Sequence, residues 1–229
     1  MMQAKLLATF GDDLMVVNTA RVSMSKRHES FDPDSDTSLI RYLAREGHWS
    51  PFSHPKAQFS VHMPIFAARQ WEKHRVGSTR AYDIYDHNEV SRRYVDSEPE
   101  FYAPEVWRSR PADNIKQGSG APLPNNEQSG CSWILTSAYN DAKTAYRDLL
   151  DSGVAPEQAR MVLPQSMYTT WIETGSLYYW SRLCLLRLDN HAQQEIRMIT
   201  RQIYDAMAEA FPVSWNALML DVAVPREMP

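Results

Sequence analysis

The chain has 229 residues, of which 43% are hydrophobic and 23% charged, with a net charge of −4. That length suits one domain, or one domain with embellishments, whose core removes roughly 70% or more of the unfolded surface from water. The mild acidity argues against general attraction to polyanions, and no apolar run reaches the roughly 18–20 residues that span a bilayer.

The start, Met1-Met2-Gln3-Ala4-Lys5-Leu6-Leu7, lacks the apolar core and small-residue cleavage site of a signal peptide, so a cytoplasmic protein is expected. Met2–Phe10 reads as a short strand. A helix follows over Asp36–Gly47: Asp36 or Thr37 caps it, Leu39, Ile40, Leu43 and Ala44 share a face, and Gly47 ends it. Lys56–Met63 alternates polar and apolar residues as a half-buried strand does. Pro64 then suits the first turn of a helix over Ile65–His74.

Tyr82–Asn125 holds five of the fourteen prolines and little periodicity; a loop of that length is functional or mobile. Ser132–Leu150 reads as a long amphipathic helix and Pro156–Met161 as a short one. Gln165–Glu173, rich in Thr, Tyr and Trp, reads as a strand, and Ser176–Leu186 as a largely buried helix. Over Asn190–Ala210, Ile196, Ile199, Ile203 and Met207 keep helical spacing, and Pro212 ends the run. Strands early and helices late point to an α+β fold with a helix-rich C-terminal half.

The chemistry concentrates in Arg69-Gln70-Trp71-Glu72-Lys73-His74-Arg75 and, after a gap, Asn88-Glu89-Val90-Ser91-Arg92-Arg93-Tyr94. Gln70, Lys73 and His74 are helix neighbours at three- and four-residue spacing, and Asn88, Ser91 and Arg93 add amide, hydroxyl and guanidinium donors. Positive charge combined with directional donors is what phosphate recognition needs. A solvated basic face is the plain alternative; the apolar Ile65-Phe66-Ala67-Ala68 just before it argues for burial instead.

No Walker sequence, dinucleotide fingerprint or Gly-x-Ser-x-Gly elbow occurs. Cys184 lies in the apolar run Leu183–Leu186, and Cys131 has no base beside it, so neither reads as a nucleophile. Neither has Cys or His at metal-ligand spacing, so no metal site and no disulfide are expected. Anion-binding groups without a nucleophile fit an enzyme whose chemistry a cofactor carries.

These residues resemble the flavin-dependent thymidylate synthases. The family hallmark, Arg-His-Arg continuing to Ser-x-Asn-Glu-x-Ser-x-Arg-Tyr, is matched by Lys73-His74-Arg75-Val76-Gly77-Ser78 and then Asn88–Tyr94. Ala20–Ser23, Gly47–His54, Arg160–Pro164, Thr174–Leu177 and Arg187–Gln193 match further family segments in order, so the likeness spans nearly the whole chain, residues 1–229 as one domain.

The resemblance implies a mixed sheet flanked by helices, and a homotetramer whose active sites are shared between subunits. It implies that dUMP is reductively methylated to dTMP, with methylenetetrahydrofolate as carbon donor and NADPH-reduced FAD as hydride source. Gln70, Ser91 and Arg93 would hold the dUMP phosphate, with Trp71, Glu72, Lys73, Glu89, Val90 and Arg92 completing that set. Arg160 and Arg187 would grip the uracil ring, Arg187 favouring ionisation at N3 as the catalytic residue. FAD would meet Ser50, Lys73, His74, Arg75 and Glu89, then Ser23, Asn88 and His191, with further contacts from Ser176, Tyr178 and Arg182. His48 would lie near the flavin face where folate stacks.

The chain departs from the family pattern in three places. Lys73 replaces an arginine and loses its planar fork. Thr79–His87 interrupts the motif, as a lid, an added substrate contact or an inert loop. Tyr178 and Arg182 stand where small polar or amide residues, or an arginine, are common. These departures keep open a relative that alkylates another pyrimidine nucleotide such as UMP, or installs hydroxymethyl. A single-stranded nucleic-acid binder stacking bases on Trp and Tyr is the non-enzymatic alternative, disfavoured by the net charge.

Overall fold

The computed structural model of the chain describes residues 1–78, 86–113 and 118–220, and for 74–78 and 86 the backbone alone. Its elements are β1 (Gln3–Phe10), α1 (Asp13–Arg21), α2 (Ser35–Arg45), β2 (Lys56–Pro64), α3 (Ile65–Ser78), β3 (Asp86–Glu89), α4 (Asn125–Asp151), α5 (Pro156–Ala159), β4 (Tyr168–Ser176), α6 (Leu177–Arg187), α7 (Gln194–Ala210) and α8 (Pro212–Met219). The α+β class stands. The sheet, in the order β1-β2-β4-β3, is antiparallel at all three described pairings, where a mixed sheet was expected.

β2 and β4 alternate in burial up to their last residue, and their inward rows meet the helices. Ala57, Phe59, Val61 and Met63 of β2 join Trp171 of β4 under α3, α6 and α7. Each of the two strands passes directly into a helix, β2 into α3 and β4 into α6, so the helix starts are fixed by the sheet. At the second junction a Cβ on Gly175 would lie 2.3 Å from the Tyr179 ring, an approach only glycine permits. Ser176 closes the junction, its hydroxyl accepting the Tyr179 amide at 3.0 Å as the α6 N-cap.

Several elements differ from the sequence reading for physical reasons. β3 lies inside the stretch read as irregular, because Asp-His-Asn-Glu carries no alternation and gains its strand form only by pairing with β4. α1 is capped by Asp12 and buries Val16 and Val17. α8 starts at the same Pro212 that ends α7, and Asp13 accepts its first amides, Val213 at 2.9 Å and Ser214 at 2.8 Å. The α7 run begins only at Gln194, since Asp189 accepts both the backbone amide and ring Nδ1 of His191 and holds a turn there.

Asp36 anchors the N-terminal helices. Fully buried, it accepts Arg21 at 2.9 Å, His28 at 3.0 Å and the Asp32 amide at 2.9 Å. Burial pushes its carboxyl up, but the Asp32 amide, His28 and Arg21 outweigh this and hold it below the ordinary 3.8. A lowered folded-state value stabilises above the ordinary one and is lost as pH falls through it. The urea midpoint should therefore fall steeply below pH 3.8. Asp36→Asn should be less stable at neutral pH by about 1–3 kcal/mol and flatter on acidification; a variant with the wild-type acid profile would remove Asp36 from that role.

Candidate active site

Two cavities divide the predicted site residues. The first, about 940 Å³, is lined by Gln70 and Lys73 of α3, Arg187 at the end of α6, and Asp189–Gln193 of the α6–α7 turn, with Arg108 opposite. Arg187 is held across it: Nη2 donates to the backbone carbonyl of Gln70, while its buried Nε has no protein partner. Burial pushes the pKa of the Arg187 guanidinium below its ordinary value. Gln70 in turn donates through Nε2 to Gln193, which fixes the amide at the cavity edge. Lys73 and His191 are exposed at the rim.

The second cavity, about 710 Å³, holds Glu89, Val90, Ser91 and Arg92, with Arg160, His62 and Thr170 across from them. Glu89 accepts a short hydrogen bond from Thr169. Arg93 leans away, Nε meeting Glu157 at 3.2 Å on the surface, while its backbone amide donates to Ser91 Oγ at 3.3 Å. Arg160 donates to the Glu157 carbonyl and is exposed. The groups expected to share one phosphate thus lie apart within a chain: Gln70 in the first cavity, Ser91 in the second.

The residues expected to meet flavin and folate lie in several places. Tyr178 has the Trp49 ring 5.9 Å away and the Arg182 guanidinium 5.9 Å over its own ring, and His48 lies 5.9 Å from Tyr42. His48 and Ser50 are exposed. Aromatic faces with a guanidinium over one of them suit planar rings. Ser23 is exposed and donates to the Ala20 carbonyl, and Asn88 is exposed on β3. The side chains of His74 and Arg75, and residues 79–85 of the insert, lie outside the described residues. Glu72 is half-buried on α3.

Two residues expected at the site are buried. The side chain of Trp71 is fully buried and donates to Glu173 at 2.9 Å, so its indole packs in the core. Ser176 is 5% exposed, with its hydroxyl engaged as the α6 cap.

Other polar residues of structural weight carried no signal of their own. Glu173 is an acid on an inward position of β4, fully buried, and accepts the Trp71 and Trp171 indoles at 2.9 and 2.8 Å and a short bond from the Tyr179 phenol. His87 Nδ1 approaches it at 3.5 Å while Nε2 lies 3.9 Å from Glu89, so the end of the insert is tied to both core and cavity. Gln193 could have been found as the last residue of the matched Arg187–Gln193 segment. Arg108 sits in a segment without periodicity.

Cys184 is fully buried, its thiol pushed well up by burial, and Cys131 lies on α4 away from both cavities. Among the described residues no cluster could hold a metal ion, and no helix is long and apolar enough to cross a membrane.

A cationic cleft floored by a partly desolvated guanidinium, with aromatic faces elsewhere on the chain, has the character of an enzyme acting on phosphorylated heterocycles. Known proteins make this specific. The family model described as thymidylate synthase complementing protein matches residues 5–213. A flavin-dependent thymidylate synthase of Thermus thermophilus is 38% identical over 213 residues, covering 93% of this chain and 74% of that protein. That of Thermosipho africanus is 36% identical over 215 residues, covering 94% and 90%. Among solved structures, the UMP/dUMP methylase PolB from Streptomyces cacaoi, bound with 5-Br dUMP, superposes with a TM-score of 0.79 at 32% identity, covering 96% of this chain and 95% of that one. The same methylase bound with 5-Br UMP gives a TM-score of 0.79 at 30% identity. The chain belongs to the flavin-dependent thymidylate synthase family, and is an enzyme of the methyltransferase class with FAD as its cofactor.

Proposed function

We propose that this protein converts dUMP to dTMP, taking the carbon from methylenetetrahydrofolate and the reducing equivalents from NADPH by way of FAD. The observation that carries this reading is Arg187, a desolvated guanidinium with an unpartnered Nε, beside Gln70 and Lys73 in one cavity. Such a group stabilises negative charge developing on a bound uracil ring, the change that makes C5 nucleophilic. Both cysteines lie outside the two cavities, which agrees with activation of uracil without a thiolate.

The donor set fits FAD: the cations at the first cavity suit its pyrophosphate, and Tyr178 with Arg182 or Trp49 offers faces for its rings. When bound, FAD supplies the hydride that completes the methyl group. Lys73, His74, Arg75, Ser50, Asn88, Glu89 and His191 are proposed to hold it, and His48 to face the folate. Ser91, Arg92, Arg93 and Arg160 are proposed to reach the nucleotide from a second subunit. The separation of Gln70 from Ser91 within one chain supports a shared site, as do exposed Tyr94, Trp133, Ile134 and Met161, which offer apolar surface to a homotetramer. The whole chain is read as a single catalytic domain working in the cytoplasm.

Acceptance of UMP is the second reading, favoured by the likeness to a methylase solved with both 5-Br dUMP and 5-Br UMP. Both are tested by offering dUMP and UMP separately with NADPH, FAD and methylenetetrahydrofolate, identifying each product by mass, and sedimenting the active species. dTMP from a tetramer is expected. Comparable turnover of UMP would broaden the substrate, a hydroxymethyl product would change the reaction, and an active monomer would refute the shared site.

A further inference from the structure

The stretch Trp107–Arg110, between the Ser91–Arg93 loop and α4, carries no residue expected at the site from the sequence, yet it is built around one side chain. Trp107 and Gln128 of α4 exchange two hydrogen bonds, amide to Oε1 at 2.8 Å and Nε2 to carbonyl at 3.0 Å. Residues 107–109 and 120–123 pair as two short antiparallel arms, with Leu123 donating to Trp107, Ser109 to Ala121 and Gly120 to Ser109. A Cβ on Gly120 would lie 2.4 Å from Ser109 Oγ and 2.6 Å from the Arg110 carbonyl oxygen, so the arms close only on glycine.

The residue these arms present is Arg108. Its Nε donates to Ser119 Oγ at 2.7 Å, and its Nη2 to Glu195 Oε1 at 2.7 Å. Glu195 is 3% exposed in the first turn of α7 and also accepts the Tyr102 phenol at 3.3 Å. Arg108 is thereby clamped from two elements with its side chain 20% open, on the wall of the cavity that holds Gln70, Lys73 and Arg187. A guanidinium has five N–H donors; two fix it here, and the pre-set fork is the arrangement that reads phosphate oxygens. Among the described residues the wall also carries Arg197 and one acid, Asp189.

We propose that Arg108, oriented by Glu195 and Ser119, is a further phosphate-binding residue of the first cavity. This rests on reading that cavity as a site for phosphorylated nucleotides. The phosphate can belong to the substrate monophosphate or to the pyrophosphate of FAD, and the two are separated by measuring them apart.

The test is Arg108→Gln in the full chain. FAD affinity is read by flavin fluorescence, and dUMP affinity of the FAD-loaded protein by calorimetry. A loss of about ten- to a hundredfold is expected for one ligand. Loss confined to dUMP assigns the monophosphate, and loss confined to FAD assigns the pyrophosphate. Changes within about twofold for both, in a wild-type protein that binds both, overturn the assignment. Arg108→Gln with Glu195→Gln answers whether Arg108 only neutralises a buried carboxylate: affinity restored in the double variant overturns the proposal, and a persistent loss supports it. Should the single variant not fold, the double variant, with both buried charges removed, is judged by the same two titrations. Wild-type protein that binds neither FAD nor dUMP sinks the reading of the cavity itself.

Discussion

Arg187→Ala is expected to lower turnover of dUMP by about 10²–10³-fold, the range found when a preorganised donor to developing negative charge is removed. The side chain is set for this: one arm is fixed on the Gln70 carbonyl, Nε is buried without a protein partner, and burial lowers its value. Its loss removes charge from the cavity floor but leaves Tyr178, Arg182 and Lys73 in place, so flavin should still bind. Arg187→Lys should recover little, since an ammonium lacks the planar fork that holds the carbonyl and faces a ring from fixed positions. Flavin absorbance beside single-turnover dTMP formation makes the comparison. Activity within about threefold of wild type would remove Arg187 from the chemistry.

Glu173→Ala is expected to cost about 3–5 kcal/mol of stability, because three buried donors each lose an acceptor at about 1–3 kcal/mol apiece. Two indoles and a phenol donate to this carboxylate in a site with no access to water, and each would be left unmatched. His87 would lose its approach to the core, so the damage should spread to the Glu89 loop as a raised dUMP KM. Urea unfolding with flavin absent measures the first effect and steady-state kinetics the second. A loss under about 1 kcal/mol would mean that Trp71, Trp171 and Tyr179 find other acceptors.

The elements legible in the sequence were those whose burial follows a period. β2 alternates over Lys56–Pro64, and α7 keeps Ile196, Ile199, Ile203 and Met207 on one face, so both stand within a few residues of their expected limits. β3 was illegible because its form comes from a partner far along the chain: Asn88 pairs with Ile172 and Glu89 with Trp171. The antiparallel order likewise depends on which strands meet. Among site residues, the charged and amide groups around Lys73 and Arg187 were legible by type and by family likeness. The burial of Trp71 was not legible, because an indole beside a basic motif looks the same whether it stacks on a ligand or fills a core. The register of α3 against β4 decides that, turning it onto Glu173.

The sequence alone determined the chemistry available to this protein: an anion-binding motif in two parts, no convincing nucleophile, and a matching order of segments that names the family. Side-chain type and local spacing are enough for that, because charge, hydrogen-bonding capacity and helical period are properties of short stretches. Only the tertiary structure decided how the parts stand to each other. It set Gln70 with Arg187 and apart from Ser91, turned Trp71 inward, and brought Arg108 from an aperiodic loop to the cavity wall. These placements depend on contacts between residues far apart in the chain, fixed by sheet register and by helices packing over one core, and no local pattern encodes them.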